Sequence, residues 1–132
     1  MKMLPFAPAM VRASAIAVAA LLLPAAAQAA PPAPAAKPAS FAMCAVCHVT
    51  KAGQKSTIGP NLAGVSGRKA GTLPGYAFSD AMKKSGIVWN KQTMAAYLAN
   101  PRAKVPGTKM AFAGQKDPKK LDELVAYVLS LR

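Results

Sequence analysis

The sequence predicts an all-α fold of three to five short helices joined by long loops. Three observations lead there. No stretch alternates apolar and polar side chains with the period of two that a half-buried strand requires. Capping residues and apolar side chains at i, i+3, i+4 spacing recur instead, each marking a short helix. No segment repeats, so the 132 residues suit one domain rather than an array.

The first 29 residues stand apart from that domain. Lys2 and Arg12 form a basic lead, Ala13 to Leu23 an apolar run, and Ala27-Gln28-Ala29 a small-residue site suited to signal peptidase. Pro24 breaks the run, which falls short of the ~20 residues a spanning helix needs. Residues 1–29 are therefore read as a cleaved signal peptide in preference to a retained anchor. Residues 30–39, APPAPAAKPA, have no apolar period and make a flexible or polyproline-like lead. The folded domain is expected over residues 40–132.

Within it, Ser40 is placed to cap a short helix running into Cys44 and Cys47, and Pro38 blocks an earlier helical start. Val49 to Leu73 is rich in Gly, Lys, Ser and Thr and reads as loop. Ser79-Asp80 caps a helix over Ala81 to Lys84, which Gly86 ends. Asn90 caps the next, with Met94, Tyr97 and Leu98 on one face and Pro101 as its stop. Ala103 to Gln115 is irregular around a Pro106-Gly107 turn. The last helix opens on Asp117, has Pro118 at its first position, and carries an apolar stripe of Leu121, Leu124, Val125 and Val128.

A domain this small buries a modest share of its surface and is marginal without an internal brace. Two cysteines cannot make a disulfide framework. Long loops between short helices also need something to order them. A large planar cofactor in the core would meet both needs.

Cys44-Ala45-Val46-Cys47-His48 is the attachment signal for such a group, the Cys-x-x-Cys-His of c-type haem. One helical turn presents two thiols to the two haem vinyl groups, and the next imidazole reaches the iron from the same side. Bacteria attach this haem outside the inner membrane, so an exported, periplasmic chain is the expected context. A thioredoxin-like pair would need a βαβ setting. A zinc site would need about four ligands, against two Cys and one His in total. A plain disulfide would leave that lone His without a reason.

With His48 as one axial ligand, the other cannot be a second His. A Met thioether is soft and neutral and favours ferrous iron. Past the leader the candidates are Met43, Met82, Met94 and Met110. Met43 adjoins the motif and cannot reach the far face of the haem. Met82 and Met94 fall on helices, where Met is commonly core filler. Met110 follows the Pro106-Gly107 turn, far along the chain, and is the preferred ligand.

Beyond the haem motif, six blocks follow in order. They are Gly59-Pro60-Asn61-Leu62, Gly67-Arg68-Lys69, Gly86-Ile87-Val88-Trp89, Tyr97-Leu98 with Asn100-Pro101, Pro106 to Met110, and Leu124 to Tyr127. Together they closely resemble class I cytochrome c across residues 40–132. The resemblance implies that family's fold, with short helices and long loops wrapped around one covalently bound haem c. It implies that the Pro60 carbonyl accepts the His48 Nδ1–H, and that Tyr97 donates its hydroxyl to the Met110 sulfur. Trp89 would hydrogen-bond a haem propionate, Arg68 would offset propionate charge, and Leu62 and Phe112 would line the crevice.

Three positions depart from the family pattern. Phe78 stands where many relatives have a Tyr that helps hold a propionate. Lys37 replaces the usual glycine four residues before Phe41, implying a short first helix and a looser contact of Phe41 with Leu124 and Tyr127. Met43 replaces a Lys of the mitochondrial docking surface.

With both axial positions filled, the iron offers no open place for a substrate. The expected role is electron shuttling by a monomer, not enzymatic turnover. Past the leader, 15 Lys and Arg stand against 4 Asp and Glu, a formal +11. Lys51, Lys55, Arg102, Lys104, Lys109 and Lys116 are expected to ring the exposed haem edge. Such a ring attracts the acidic docking face of a redox partner: a cytochrome bc complex, a terminal oxidase, a photosynthetic reaction centre or a periplasmic dehydrogenase. Membranes would be met only through such partners. No nucleic-acid-binding motif accompanies the charge. Two other readings are a haem module of a larger oxidase or dehydrogenase complex, and a peroxidase-like or gas-binding protein, for which no spare distal His exists.

Overall fold

A computed structural model describes residues 33–132; the segment 1–29, expected to be a signal peptide, and the first residues of the lead lie outside the described residues. A 3₁₀ turn, Ala39–Phe41, runs straight into α1, Ala42–Ala45. Pro38 precedes it at φ −75 and ψ 152, the polyproline II values. Ser40 is not the cap. A hydroxyl caps only from the extended residue before the first turn, and Pro38 holds that place. Ser40 lies inside the turn, with its Oγ buried and unpartnered among the described residues.

The next helices begin where their caps stand. Ser79 Oγ accepts the Met82 N–H at 3.1 Å and opens α2, Asp80–Lys84. In α3, Lys91–Ala99, a capping box closes both ways: Asn90 Oδ1 accepts the Thr93 N–H at 2.9 Å, and Thr93 Oγ1 accepts the Asn90 N–H at 3.0 Å. Pro101 ends α3 and also begins α4, Pro101–Lys104, with Asn100 Oδ1 accepting the Ala103 N–H at 3.3 Å. Ala103 and Lys104 are thus helical where irregular chain was expected. Proline breaks a helix from inside but fits its first position. Asp117 Oδ1 accepts from Lys119 and Lys120 at 2.9 and 3.1 Å and starts α5, Pro118–Ser130. Among the described residues no strand forms, only one antiparallel bridge between Lys69 and Val88.

The apolar stripe of α5 builds the core. Leu124, Val125 and Val128 are buried, and α3 packs on α5 through Met94, Tyr97 and Leu98. Phe41 comes in from the 3₁₀ turn at 1% exposure, edge-on to Tyr127 with ring centroids 4.8 Å apart. The first helix is short, as expected, but its contact with α5 is close rather than loose. Lys37 does not hold the two apart. Its ammonium lies 5.5 Å from the Phe41 ring centroid, in cation–π range. The lead is also tied down, since the Ala35 N–H donates to Ser130 Oγ at 3.0 Å.

The remaining chain is loop, organised by hydrogen bonds. Asn61 is the buried polar side chain of the described core. Its Nδ2 donates to the Lys51 and Gln54 carbonyls, both at 2.7 Å, and its Oδ1 accepts the Ala63 N–H at 2.8 Å. Those three bonds draw residues 51–63 around one side chain. No helix among the described residues is long and apolar enough to cross a membrane.

Candidate haem site

The cysteine motif forms one helical turn. Cys47 and His48 both donate their N–H to the Cys44 carbonyl, at 3.0 and 2.9 Å. Both thiols are free and half-buried. Burial, and then the neighbouring Cys47, raise the Cys44 thiol above its ordinary range, against the pull of a backbone hydrogen bond.

His48 is fixed from two sides. Its Nδ1 meets the Pro60 carbonyl at 2.8 Å, so Nδ1 carries the proton and Nε2 keeps its lone pair. Burial lowers the His48 pKa, and the Pro60 carbonyl only partly opposes this. The ring is therefore neutral at pH 7. Gly59 lies against it, where a Cβ would come within 2.6 Å of Cε1. Only glycine leaves room for the imidazole. Thr57 Oγ1 and the Gly59 N–H both donate to the Cys47 carbonyl, each at 2.8 Å, which joins this loop to the motif.

The motif opens onto a mainly apolar cavity of about 480 Å³. Every site residue expected from the sequence lines it: Cys44, Cys47 and His48, then Pro60, Leu62, Arg68, Trp89, Tyr97, Met110 and Phe112. So do Met43, Met82 and Met94, so lining alone does not choose between the thioethers. Met82 and Met94 are buried on α2 and α3, whereas Met110 sits on irregular chain after the Gly107 turn, half-buried.

Tyr97 departs from expectation. Its hydroxyl pairs with Thr108 Oγ1 at 2.8 Å, not with the Met110 sulfur. A hydroxyl oxygen is the better hydrogen-bond partner, thioether sulfur being a weak acceptor. Burial raises the Tyr97 pKa, with the Thr108 hydrogen bond pulling the other way, so the phenol keeps its proton. Arg68 donates to the Ala63 and Asn61 carbonyls, both at 3.1 Å. The ion pairs among the described residues are Lys83–Asp80 and Lys91–Asp122, so no carboxylate meets this guanidinium. Burial lowers its pKa, and an acidic group entering the cavity would relieve that cost.

Phe78 has no hydroxyl to offer and packs edge-on against Tyr76 at 4.7 Å, while Tyr76 donates its own hydroxyl to the Ile58 carbonyl at 2.8 Å. The expected basic ring does not gather at the cavity wall. Of its six members only Lys109 lines it, donating to the Ala77 carbonyl at 3.2 Å. Lys55 borders a separate hollow, and Lys116 donates to the Ala99 carbonyl at 2.8 Å. Long cations take whatever carbonyl ends lie in reach, and sequence does not show which. Thr108 and Tyr76 have roles that reading residue by residue passed over. A hydroxyl two positions before a candidate ligand was the available signal for Thr108.

These donors fit a covalently held haem. They offer two thiols one turn apart, a neutral imidazole with Nε2 unspent, a thioether, apolar walls and a guanidinium without a carboxylate. Known proteins agree with that fit. A family model described as cytochrome c matches residues 33–132. Cytochrome c2 iso-2 of Magnetospirillum fulvum is 51% identical over 94 residues, covering 71% of this chain and 97% of that protein. Cytochrome c2 of Blastochloris viridis is 47% identical over 111 residues, 84% of each chain. Among solved structures, cytochrome cH from Methylobacterium extorquens superposes with a TM-score of 0.63 at 51% identity, covering 67% of this chain and 89% of that one. The chain therefore belongs to the cytochrome c family, all-α proteins that carry one covalently attached haem c and pass electrons.

Proposed function

We propose that this chain is a periplasmic one-electron carrier, with haem attached through Cys44 and Cys47 and its iron held by His48 and Met110. Bound haem would take up one electron from a donor protein and give it to an acceptor, its iron cycling between ferric and ferrous states. The protein does the rest. Pro60 and Gly59 hold the His48 ring in one tautomer and one orientation, which keeps Nε2 available as a donor. Leu62, Trp89 and Phe112 line the cavity with apolar surface and exclude water from it. Arg68 stands ready for propionate charge.

One observation carries the reading. A neutral imidazole, locked by the Pro60 carbonyl, lines the same apolar cavity as Met110. With His48 and Met110 both holding the iron, no place would be left there for a substrate, which favours a carrier over an enzyme. The formal +11 past the leader favours acidic docking faces on its partners, a cytochrome bc complex, terminal oxidase, reaction centre or periplasmic dehydrogenase. The chain works as a monomer that meets membranes through those partners. The relatives named cytochrome c2 support the same reading.

The ligand assignment is tested by Met110→Ala. The variant should keep its covalent haem, lose the weak far-red band of Met–iron ligation, and bind small ligands more tightly. An unchanged spectrum would move the assignment to Met82 or Met94.

A further inference from the structure

Four large apolar side chains are exposed among the described residues: Val46 and Ile58 at 73%, Met43 at 69% and Val88 at 46%. Met43, Val46 and Ile58 also line the haem cavity, so these three stand at its mouth. Local structure brings them together. Met43 sits on α1 and Val46 caps its end three residues on, which puts both on one face. Ile58 is fastened beside the motif, because its neighbours Thr57 and Gly59 both donate to the Cys47 carbonyl at 2.8 Å. The 3₁₀ turn and α1 carry no charged side chain, and the cations of the cavity wall are Arg68 and Lys109. Contiguous exposed apolar surface marks a contact site. Of the methionines past the leader, Met82 and Met94 are only 8% and 4% exposed, and Met110 is half-buried and is the proposed iron ligand. Met43 is therefore the thioether that solvent reaches, and sulfur oxidation follows exposure.

We propose that Met43 is an oxidant-responsive site at the mouth of the haem cavity: hydrogen peroxide converts its thioether to the sulfoxide, which weakens the contact of this apolar patch with the apolar centre of a redox partner's docking face. The inference rests on the carrier reading. In the step, the sulfur lone pair attacks one peroxide oxygen, and an S–O bond forms as the O–O bond breaks. The other oxygen leaves as water, so sulfur loses two electrons and peroxide gains them. A side chain that met apolar surface becomes polar and chiral. Charge does not change, so the long-range pull of the formal +11 past the leader is untouched. Oxidation acts on contact, not on encounter. A methionine sulfoxide reductase reverses it, two thiols giving a disulfide and water.

The test uses the haem-bearing protein and two electrodes, one coated with a methyl-terminated and one with a carboxylate-terminated alkanethiol monolayer. Hydrogen peroxide is dosed below the level that bleaches the haem, and peptide mass spectrometry locates the added oxygen. Met43 should gain it first. Electron exchange at the methyl surface should then fall about tenfold, the usual order of cost for setting a polar group against apolar surface. Exchange at the carboxylate surface and the far-red band should stay as they were, and sulfoxide reductase should restore the rate. Met43→Gln should show the fall without peroxide, and Met43→Leu should show none on treatment. Oxidation of Met82, Met94 or Met110 ahead of Met43 overturns the inference. So does an unchanged rate at the methyl surface once Met43 is oxidised, an equal fall at both surfaces, or a peroxide-driven fall in Met43→Leu. Untreated wild type that exchanges electrons at neither surface is a different failure and sinks the carrier reading itself.

Discussion

The helical half and the loop half of this domain are held by different forces. Phe41, Leu98, Leu124, Val125 and Val128 are buried against one another, and α3, α5 and the first turn close on themselves. The loops over residues 49–78 and 105–116 are tied by hydrogen bonds: Asn61 to three backbone groups, Arg68 to two carbonyls, Tyr76 to Ile58 and Lys109 to Ala77. Their apolar side chains, Leu62, Phe78 and Phe112 among them, line the cavity. The helices form one core, which Val65, Ala70 and Val105 of the loops also enter; the cavity, lined by both halves, would have the haem as a second.

The largest effect should follow from removing that second core. Cys47→Ser should leave haem poorly attached and the chain largely unfolded, read as the yield of haem-bearing protein and its far-ultraviolet dichroism. A normal yield of folded, haem-bearing protein would show that the loops support themselves. Phe41→Ala strikes the helical half and should cost about 3–5 kcal/mol in denaturant unfolding, the usual range for a buried aromatic. The far-red band of the molecules still folded should not change. A loss under ~1 kcal/mol would mean that the contact of Phe41 with Tyr127 adds little, whatever its geometry.

Asn61→Ala probes the loops without touching the cavity wall. It strands two carbonyls and one N–H, for about 1–3 kcal/mol. Amide exchange should quicken over residues 51–63 and stay unchanged in α5. Uniform quickening would merge the two halves into one cooperative unit. Lys37→Ala should do least, about 0.5–1 kcal/mol for a cation near an aromatic ring. A larger loss would make the lead part of the helical core.

What could be read in advance divides along the same line. Asn90, Ser79, Asp117 and the α5 stripe mark helices by local chemistry, which any short window of sequence displays. The haem motif is as local, and the residues that line the cavity could be named from family likeness. The misreadings share a cause. Pro101 reads as a stop, yet Asn100 beside it makes it a start. Ser40 has the right side chain two residues too late. Lys37 looks like a wedge until Pro38 sets the direction of the lead. The Tyr97 hydroxyl was assigned to sulfur because the choice between sulfur and Thr108 depends on where a distant turn places an oxygen. Periodicity carries no information about that.

The bond from Ala35 to Ser130 has one more consequence. It brings the beginning and the end of the domain side by side, so the fold is nearly a closed ring. Joining such ends with a short linker costs little loop entropy. Circular permutation at an exposed loop should therefore be tolerated. By the same geometry the domain is a cassette: carried on a tether, fused behind another protein or spliced into a longer chain, it enters and leaves through one doorway.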